Sequence, residues 1–138
     1  MSKMPDREFD RLVDAWIRAT NAPEGSSERE ELWWAIDALL LLPVQDRETT
    51  WRFVLEVLRR RPSELVLGML AAGPIEALLF HHGEMFIERV EMAAVHDATF
   101  RRILGMVWLH SSDTPVWRRV YSLAGTKPPF RARAGYRG

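Results

Sequence analysis

Apolar residues recur along this chain at the spacing of an α-helix. The first regular stripe has members at positions i, i+3, i+4, i+7 and i+8, which share one face of a helix. Its members are Phe9, Leu12, Val13, Trp16 and Ile17. A later stripe repeats that spacing through Phe100, Ile103, Leu104, Val107 and Trp108. Because no sustained alternation of apolar and polar residues and no Asn-Gly or Asp-Gly turn competes with it, this pattern predicts an all-α fold.

Capping residues, prolines and glycines divide the pattern into about seven or eight short helices. Ser27 followed by Glu30 predicts a capping box at the start of the second helix, and Pro43 predicts its end. Gly73-Pro74 predicts a sharp turn between two short helices, because proline cannot continue the preceding helix, and Gly83 predicts the end of the second. Further predicted N-terminal caps are Ser63, Asp97 and Thr114. Short helices joined in this way form one compact domain, as an antiparallel helical bundle or as stacked helical hairpins.

The second predicted helix is apolar on nearly all sides. Its apolar positions include Leu32, Trp33, Ile36, Leu39 and Leu40. Such coverage predicts that this helix is the most buried one of the fold. The adjacent Trp33 and Trp34 point about 100° apart on a helix, so both rings are buried only if other helices cover two sides. We interpret Trp34 as a core residue, and the alternative is an anchor for a partner protein, where tryptophan is enriched.

The length and composition are those of one folded domain. The 138 residues are 47% hydrophobic and 28% charged, which suffices for one continuous core. We assign residues 1–125 to a single all-α domain and residues 126–138 to a basic, mobile tail. The chain has no cysteine and no apolar segment at its N-terminus, so we expect a cytoplasmic protein. Its longest apolar stretch, residues 65–75, is about half a membrane span, and we expect no membrane association.

Charge is balanced in total but not along the chain. There are 19 basic and 19 acidic residues. The segment after residue 125 has no acidic residue and four basic ones, which are Lys127, Arg131, Arg133 and Arg137. The first 125 residues therefore carry 15 basic and 19 acidic side chains, and such a domain has no basic face to displace counterions from nucleic acid. We do not expect nucleic-acid binding, and the expected partner is another protein or a second copy.

Three glutamates form the best candidate for a site. Glu84, Glu88 and Glu91 lie at i, i+4 and i+7 and share one helix face, and Glu76 and His82 precede them. Like charges at this spacing destabilise an isolated helix, so the group is either a binding surface or a solvated face relieved by nearby arginines. Carboxylates and imidazole are also metal ligands. A metal-binding domain or metal-dependent enzyme built on residues 76–91 is therefore an alternative.

No catalytic or cofactor motif accompanies these glutamates. The sequence lacks Glu-x-x-His, His-Glu-x-x-His, glycine-rich phosphate loops and Gly-x-Ser-x-Gly. We therefore assign no catalytic residue, no metal ligand and no cofactor. The absence of motifs does not decide whether the chain is an enzyme, but it favours a non-catalytic role.

One segment, residues 71–108, carries a specific combination of motifs. It contains Ala71-Ala72-Gly73-Pro74-Ile75-Glu76-x-Leu78-Leu79, followed by His82-Gly83-x-x-Phe86-Ile87. With these motifs the segment resembles a family of small bacterial helical domains of unknown function. Ala77 departs from the family pattern, in which an acidic residue usually follows this glutamate. The resemblance implies a helical bacterial protein and supplies no reaction, cofactor or site residue.

Taken together, these patterns predict an uncharacterised bacterial protein that acts as a non-catalytic protein-interaction module of the accessory or immunity type. Its possible interaction surface comprises Glu76, His82, Glu84, Glu88, Glu91 and Trp34. An acidic helical face would speed the capture of a basic partner through electrostatic steering.

Overall fold

The computed structural model describes residues 4–107 and 114–125. Helices occupy most of both segments, and neither segment contains a strand. The elements are α1 (Asp6–Asn21), α2 (Ser27–Gln45), α3 (Arg47–Arg59), α4 (Glu64–Leu70), a π-helical turn (Ala71–Ile75), α5 (Glu76–His96), α6 (Ala98–Leu104) and α7 (Pro115–Ala124). The all-α prediction is confirmed. The predicted tail, residues 126–138, and Trp108 of the late stripe lie outside the described residues.

Side-chain caps begin most of these helices. The side chains of Ser63, Asp97 and Thr114 accept amide hydrogen bonds from the first turns of α4, α6 and α7, as predicted. The cap of α2 lies one residue earlier than predicted, because Ser26 Oγ accepts the amide of Arg29 at 3.2 Å. The capping serine is the one whose backbone stays extended, and the local sequence does not distinguish it from the serine that follows.

The segment from Glu64 to His96 consists of two helical parts that meet at a kink at His82, rather than three short helices. The sharp turn predicted at Gly73-Pro74 is wrong. The chain passes Pro74 through the π turn, whose wider geometry tolerates a residue without an amide donor. A helix break next to Gly83 is confirmed, because the backbone of His82 is non-helical, at φ −137° and ψ 29°, and the helix bends there.

Gly83 permits close contact between two helices. It is buried, and a Cβ built on it would lie 2.8 Å from Cγ1 of Val116 on α7. That distance is too short for a side chain, so α7 approaches the bend in α5 closely only because position 83 carries none. The glycine that the sequence marks as a helix end is therefore a packing residue.

The core is built from buried residues of all seven helices. The α1 stripe is buried as predicted, except that Ile17 is half-buried. Trp16 contacts Phe53 of α3 edge to face, with the ring centroids 5.2 Å apart. On α5, Phe86 and Val90 face inward. Because α5 contacts α2, α3, α6 and α7, it is the central helix of the fold, whereas α1 packs chiefly along α2.

Candidate interaction surface

Helix α2 has one buried apolar face and one exposed apolar face. Ala35, Leu39 and Pro43 are buried. The exposed large apolar residues are Trp33 (42%), Trp34 (38%), Leu40 (70%), Leu41 (57%) and Val44 (56%). We call these five residues the α2 stripe. The prediction that this helix is the most buried one is therefore wrong.

Both errors about α2 have a physical reason. Apolar composition leads to burial only where another element covers the helix, and α1, α3, α5 and the π turn contact α2 from its inner side. The predicted end at Pro43 is wrong because the helix continues to Gln45. A proline in the last turn removes a single intrahelical hydrogen bond, and Pro43 is buried at that position.

The α2 stripe is narrow and straight. Trp33, Leu40 and Val44 lie at i, i+7 and i+11, which places them within about 40° of one another around the helix. Leu41 and Trp34 flank this line on one side. From Trp33 to Val44 the stripe is about 16 Å long at the rise of an α-helix. It therefore offers three turns of apolar surface along one direction.

Arginine side chains stack on the two exposed tryptophans. Cζ of Arg11, on α1, lies 4.7 Å from the ring centroid of Trp34, and Cζ of Arg29 lies 5.4 Å from that of Trp33. Both distances allow a cation–π contact. The interpretation of Trp34 as a core residue is wrong, since more than a third of its surface is exposed. Its role as an anchor for a partner stays a prediction.

Two carboxylates accompany the α2 stripe. Asp37 lies on the stripe itself, one turn after Trp33 and one turn before Leu40 and Leu41, and Glu30 lies one turn before Trp33. Both side chains are exposed, and neither makes a hydrogen bond or ion pair with the described residues. At the N-terminal end, Glu30 and Trp33 line a shallow recess of about 500 Å³ together with the loop before α2. Two negative charges therefore lie within and beside the α2 stripe.

The glutamates predicted as a site lie on another helix, α5. Glu84 and Glu88 are exposed, whereas Glu91 pairs with Arg119 of α7 through two hydrogen bonds, one of them 2.8 Å from Nε to Oε2. The hydrogen bonds and charge of Arg119 lower the pKa of Glu91. Glu91 is thus engaged in joining α5 to α7, and the arginine that relieves the glutamate repulsion comes from α7. Trp34 lies on α2 against α1 and is not part of the same helix face.

His82 has a structural partner that the sequence did not reveal. Its Nε2 lies 2.9 Å from the carbonyl oxygen of Pro43. A carbonyl only accepts, so Nε2 carries the proton and donates. The carbonyl of Pro43 belongs to the last turn of α2, where carbonyls have no intrahelical partner. His82 therefore joins the bend of α5 to the end of α2, near the last residue of the α2 stripe, Val44.

A cleft of about 700 Å³ lies between the bend of α5 and the start of α7. Its polar lining includes His82, Glu84, Thr114 and Arg119. Three of these have structural partners: His82 binds Pro43, the Thr114 hydroxyl caps α7, and Arg119 binds Glu91. Within residues 4–107 and 114–125, no three histidine, aspartate or glutamate side chains lie close enough together to hold a metal ion.

The kinked helical segment Glu64–His96 has the length and composition of a membrane-spanning helix. Of the described helices it alone meets this criterion, and 44% of its most apolar window is buried inside the protein. Core helices of globular proteins meet the same criterion, so this observation has little weight for a location in a membrane.

Comparison with known proteins gives a family and no activity. A family model described as a family of unknown function, DUF6869, matches residues 22–127, which is most of the chain. The predicted membership of a family of unknown function is confirmed, and the motif segment 71–108 lies within the match. No curated protein and no solved structure matches the chain.

Proposed function

The chain belongs to DUF6869, a family of unknown function, and we propose that it is a non-catalytic module that binds another protein through the α2 stripe. The observation that carries the proposal is the exposure of five large apolar side chains along one face of one helix. We further propose, from the sequence, that it acts in the bacterial cytoplasm.

A contiguous exposed apolar surface such as the α2 stripe is typical of a protein-binding site. Single exposed apolar residues are common on folded proteins, whereas contiguous apolar patches mark binding sites. Tryptophan dominates the energetics of many interfaces, because its large ring is desolvated on binding. Trp33 and Trp34 begin the α2 stripe, and arginines already stack on their rings and restrict them. A partner that covered the stripe would gain apolar contact without ordering flexible loops.

The surface proposed here differs from the one that the sequence indicates. Of the earlier candidates, His82 and Glu91 hold helices together, and Trp34 remains in the binding surface. Glu84 and Glu88 stay exposed on α5, where they add to the negative field around the protein. That field speeds the approach of a basic partner, whereas the α2 stripe supplies the contact itself.

Site-specific photo-cross-linking tests the proposal. A photoreactive phenylalanine analogue replaces Leu40, which is 70% exposed, in the cells that produce the protein. The matched control places the same analogue at Leu65 of α4, another exposed leucine outside the stripe. We expect a covalent adduct with a second protein from position 40 and none from position 65. No adduct from position 40, or the same adducts from both positions, would contradict the proposal.

A further inference from the structure

The shape of the α2 stripe limits what fits on it. The stripe is straight, about three turns long and one to two side chains wide. The natural complement of such a line is a second helix that presents apolar residues at i, i+3, i+4 and i+7. A strongly curved partner surface would leave either Trp33 or Val44 in solvent.

The negative charge of Asp37 further limits which partners fit the α2 stripe. Asp37 lies between the tryptophans and the leucines of the stripe and makes no hydrogen bond or ion pair with the described residues. A partner that covered the stripe would remove water from this carboxylate, and an unpaired buried charge is strongly unfavourable. The partner must therefore place a cation against Asp37. From this we infer that the α2 stripe binds an amphipathic helix of another protein whose apolar face carries a lysine or arginine near its centre.

A second copy of this chain fits poorly by the same reasoning. A symmetric dimer that covered the whole stripe would have its two-fold axis near the middle of the stripe, next to Asp37. The two Asp37 carboxylates would then approach each other in an apolar contact. Like charges so placed oppose association.

An anionic lipid surface is disfavoured as well. Asp37 and Glu30 would meet negatively charged headgroups, and Arg29 is the only basic residue of α2. Surfaces that bind anionic membranes carry clusters of lysine and arginine instead. The inferred helix rests on the proposed function, because it specifies what the α2 stripe binds.

The test maps the adduct formed from position 40. Mass spectrometry identifies the cross-linked segment, and we expect an amphipathic helix of another protein with a lysine or arginine within its apolar face. A segment without such a cation, a second copy of this chain, a lipid, or residues 126–138 of the same chain would each overturn the inference.

A charge-reversal pair completes the test. We expect Asp37→Lys to lower the adduct yield about tenfold and the affinity for a synthetic peptide of the mapped segment by about the same factor. The matched control is Glu88→Lys, which makes the same charge change at an exposed glutamate of α5, and it should change neither by more than about twofold. Exchanging the peptide's central cation for glutamate should restore binding to the Asp37→Lys protein.

The outcomes separate the two proposals. An adduct that persists unchanged in the Asp37→Lys protein overturns the inferred cation and leaves the docking surface in place. Failure to form any adduct from position 40 overturns the proposed function itself.

Discussion

His82 and Glu91 illustrate how a residue type can point to chemistry while its contacts give it another role. Both belong to the group that the sequence marks as a site. His82 donates to the Pro43 carbonyl at the end of α2, and Glu91 binds Arg119 of α7. These partners are 39 and 28 residues away in the chain, so no local spacing indicates them. The sequence indicated His82 and Glu91 as candidate site residues, but it could not show that both bind groups on other helices.

Glu56 provides a test of electrostatics at the scale of one residue. Its carboxylate accepts hydrogen bonds from Arg59 at 2.6 Å and 2.8 Å and from Arg60 at 3.0 Å. Those bonds, chiefly from Arg59, lower the pKa of Glu56 to about 2 from the value of 4.5 in the unfolded chain. A carboxyl whose pKa is lower in the folded state stabilises the fold above pH 4.5, and the contribution disappears as the pH falls to about 2.

Replacing Glu56 should therefore have an effect that depends on pH. We predict that Glu56→Gln lowers the free energy of unfolding by about 1 kcal/mol at neutral pH, because both arginines lose the negative charge of this carboxylate. The difference from the wild type should shrink between pH 4.5 and about 2. Urea denaturation across this pH range measures it, with the exposed Glu31→Gln as the control. A difference that stays constant with pH would show that the carboxylate is not held as described.

At the scale of helices, the sequence predicts which segments are helical better than it predicts where each helix ends. The apolar stripe of α1 and the caps of α4, α6 and α7 follow from local spacing, and the structure confirms them. The break predicted at Gly73-Pro74 does not occur, α2 ends two residues after Pro43, and the kink next to Gly83 lies at His82. Proline and glycine weaken a helix by amounts that tertiary packing offsets, and the sequence does not show that packing.

Gly83 allows a test of how closely α5 and α7 pack. Gly83→Ala should lower the free energy of unfolding by about 1–3 kcal/mol, because the new Cβ would meet Cγ1 of Val116 at 2.8 Å. Thermal or chemical denaturation measures the loss. The matched control is Gly68→Ala in α4, where a Cβ meets nothing within 4 Å and helix propensity favours alanine by up to about 1 kcal/mol.

A second substitution on α7 tests whether the loss of stability in Gly83→Ala comes from the contact between α5 and α7. Adding Val116→Ala to Gly83→Ala should recover part of the lost stability, since it removes the methyl group that the new Cβ meets. If Gly83→Ala is as stable as Gly68→Ala, the close approach of the two helices is incorrect.

At the scale of the whole molecule, the packing of the other helices decides which face of α2 is exposed, so the sequence predicted the binding surface only in part. The sequence shows that α2 is apolar on nearly all sides, and its apolar residues lie on both the buried and the exposed face. It cannot show that the neighbouring helices cover one side and leave the α2 stripe in solvent, because that depends on how every other helix packs. Trp34 was the one member of the stripe among the predicted surface residues, and its alternative interpretation as a partner anchor is the one that its exposure supports.

The two faces of α2 must have different roles if the α2 stripe binds a partner, and two adjacent leucines test this directly. Leu39 is 5% exposed and Leu40 is 70% exposed. We predict that Leu39→Ala lowers the free energy of unfolding, measured by chemical denaturation, by about 2–5 kcal/mol. Leu40→Ala should change it by less than about 0.5 kcal/mol. Equal losses from the two substitutions would mean that the α2 stripe is buried in the fold, and would contradict its role as a surface for a partner.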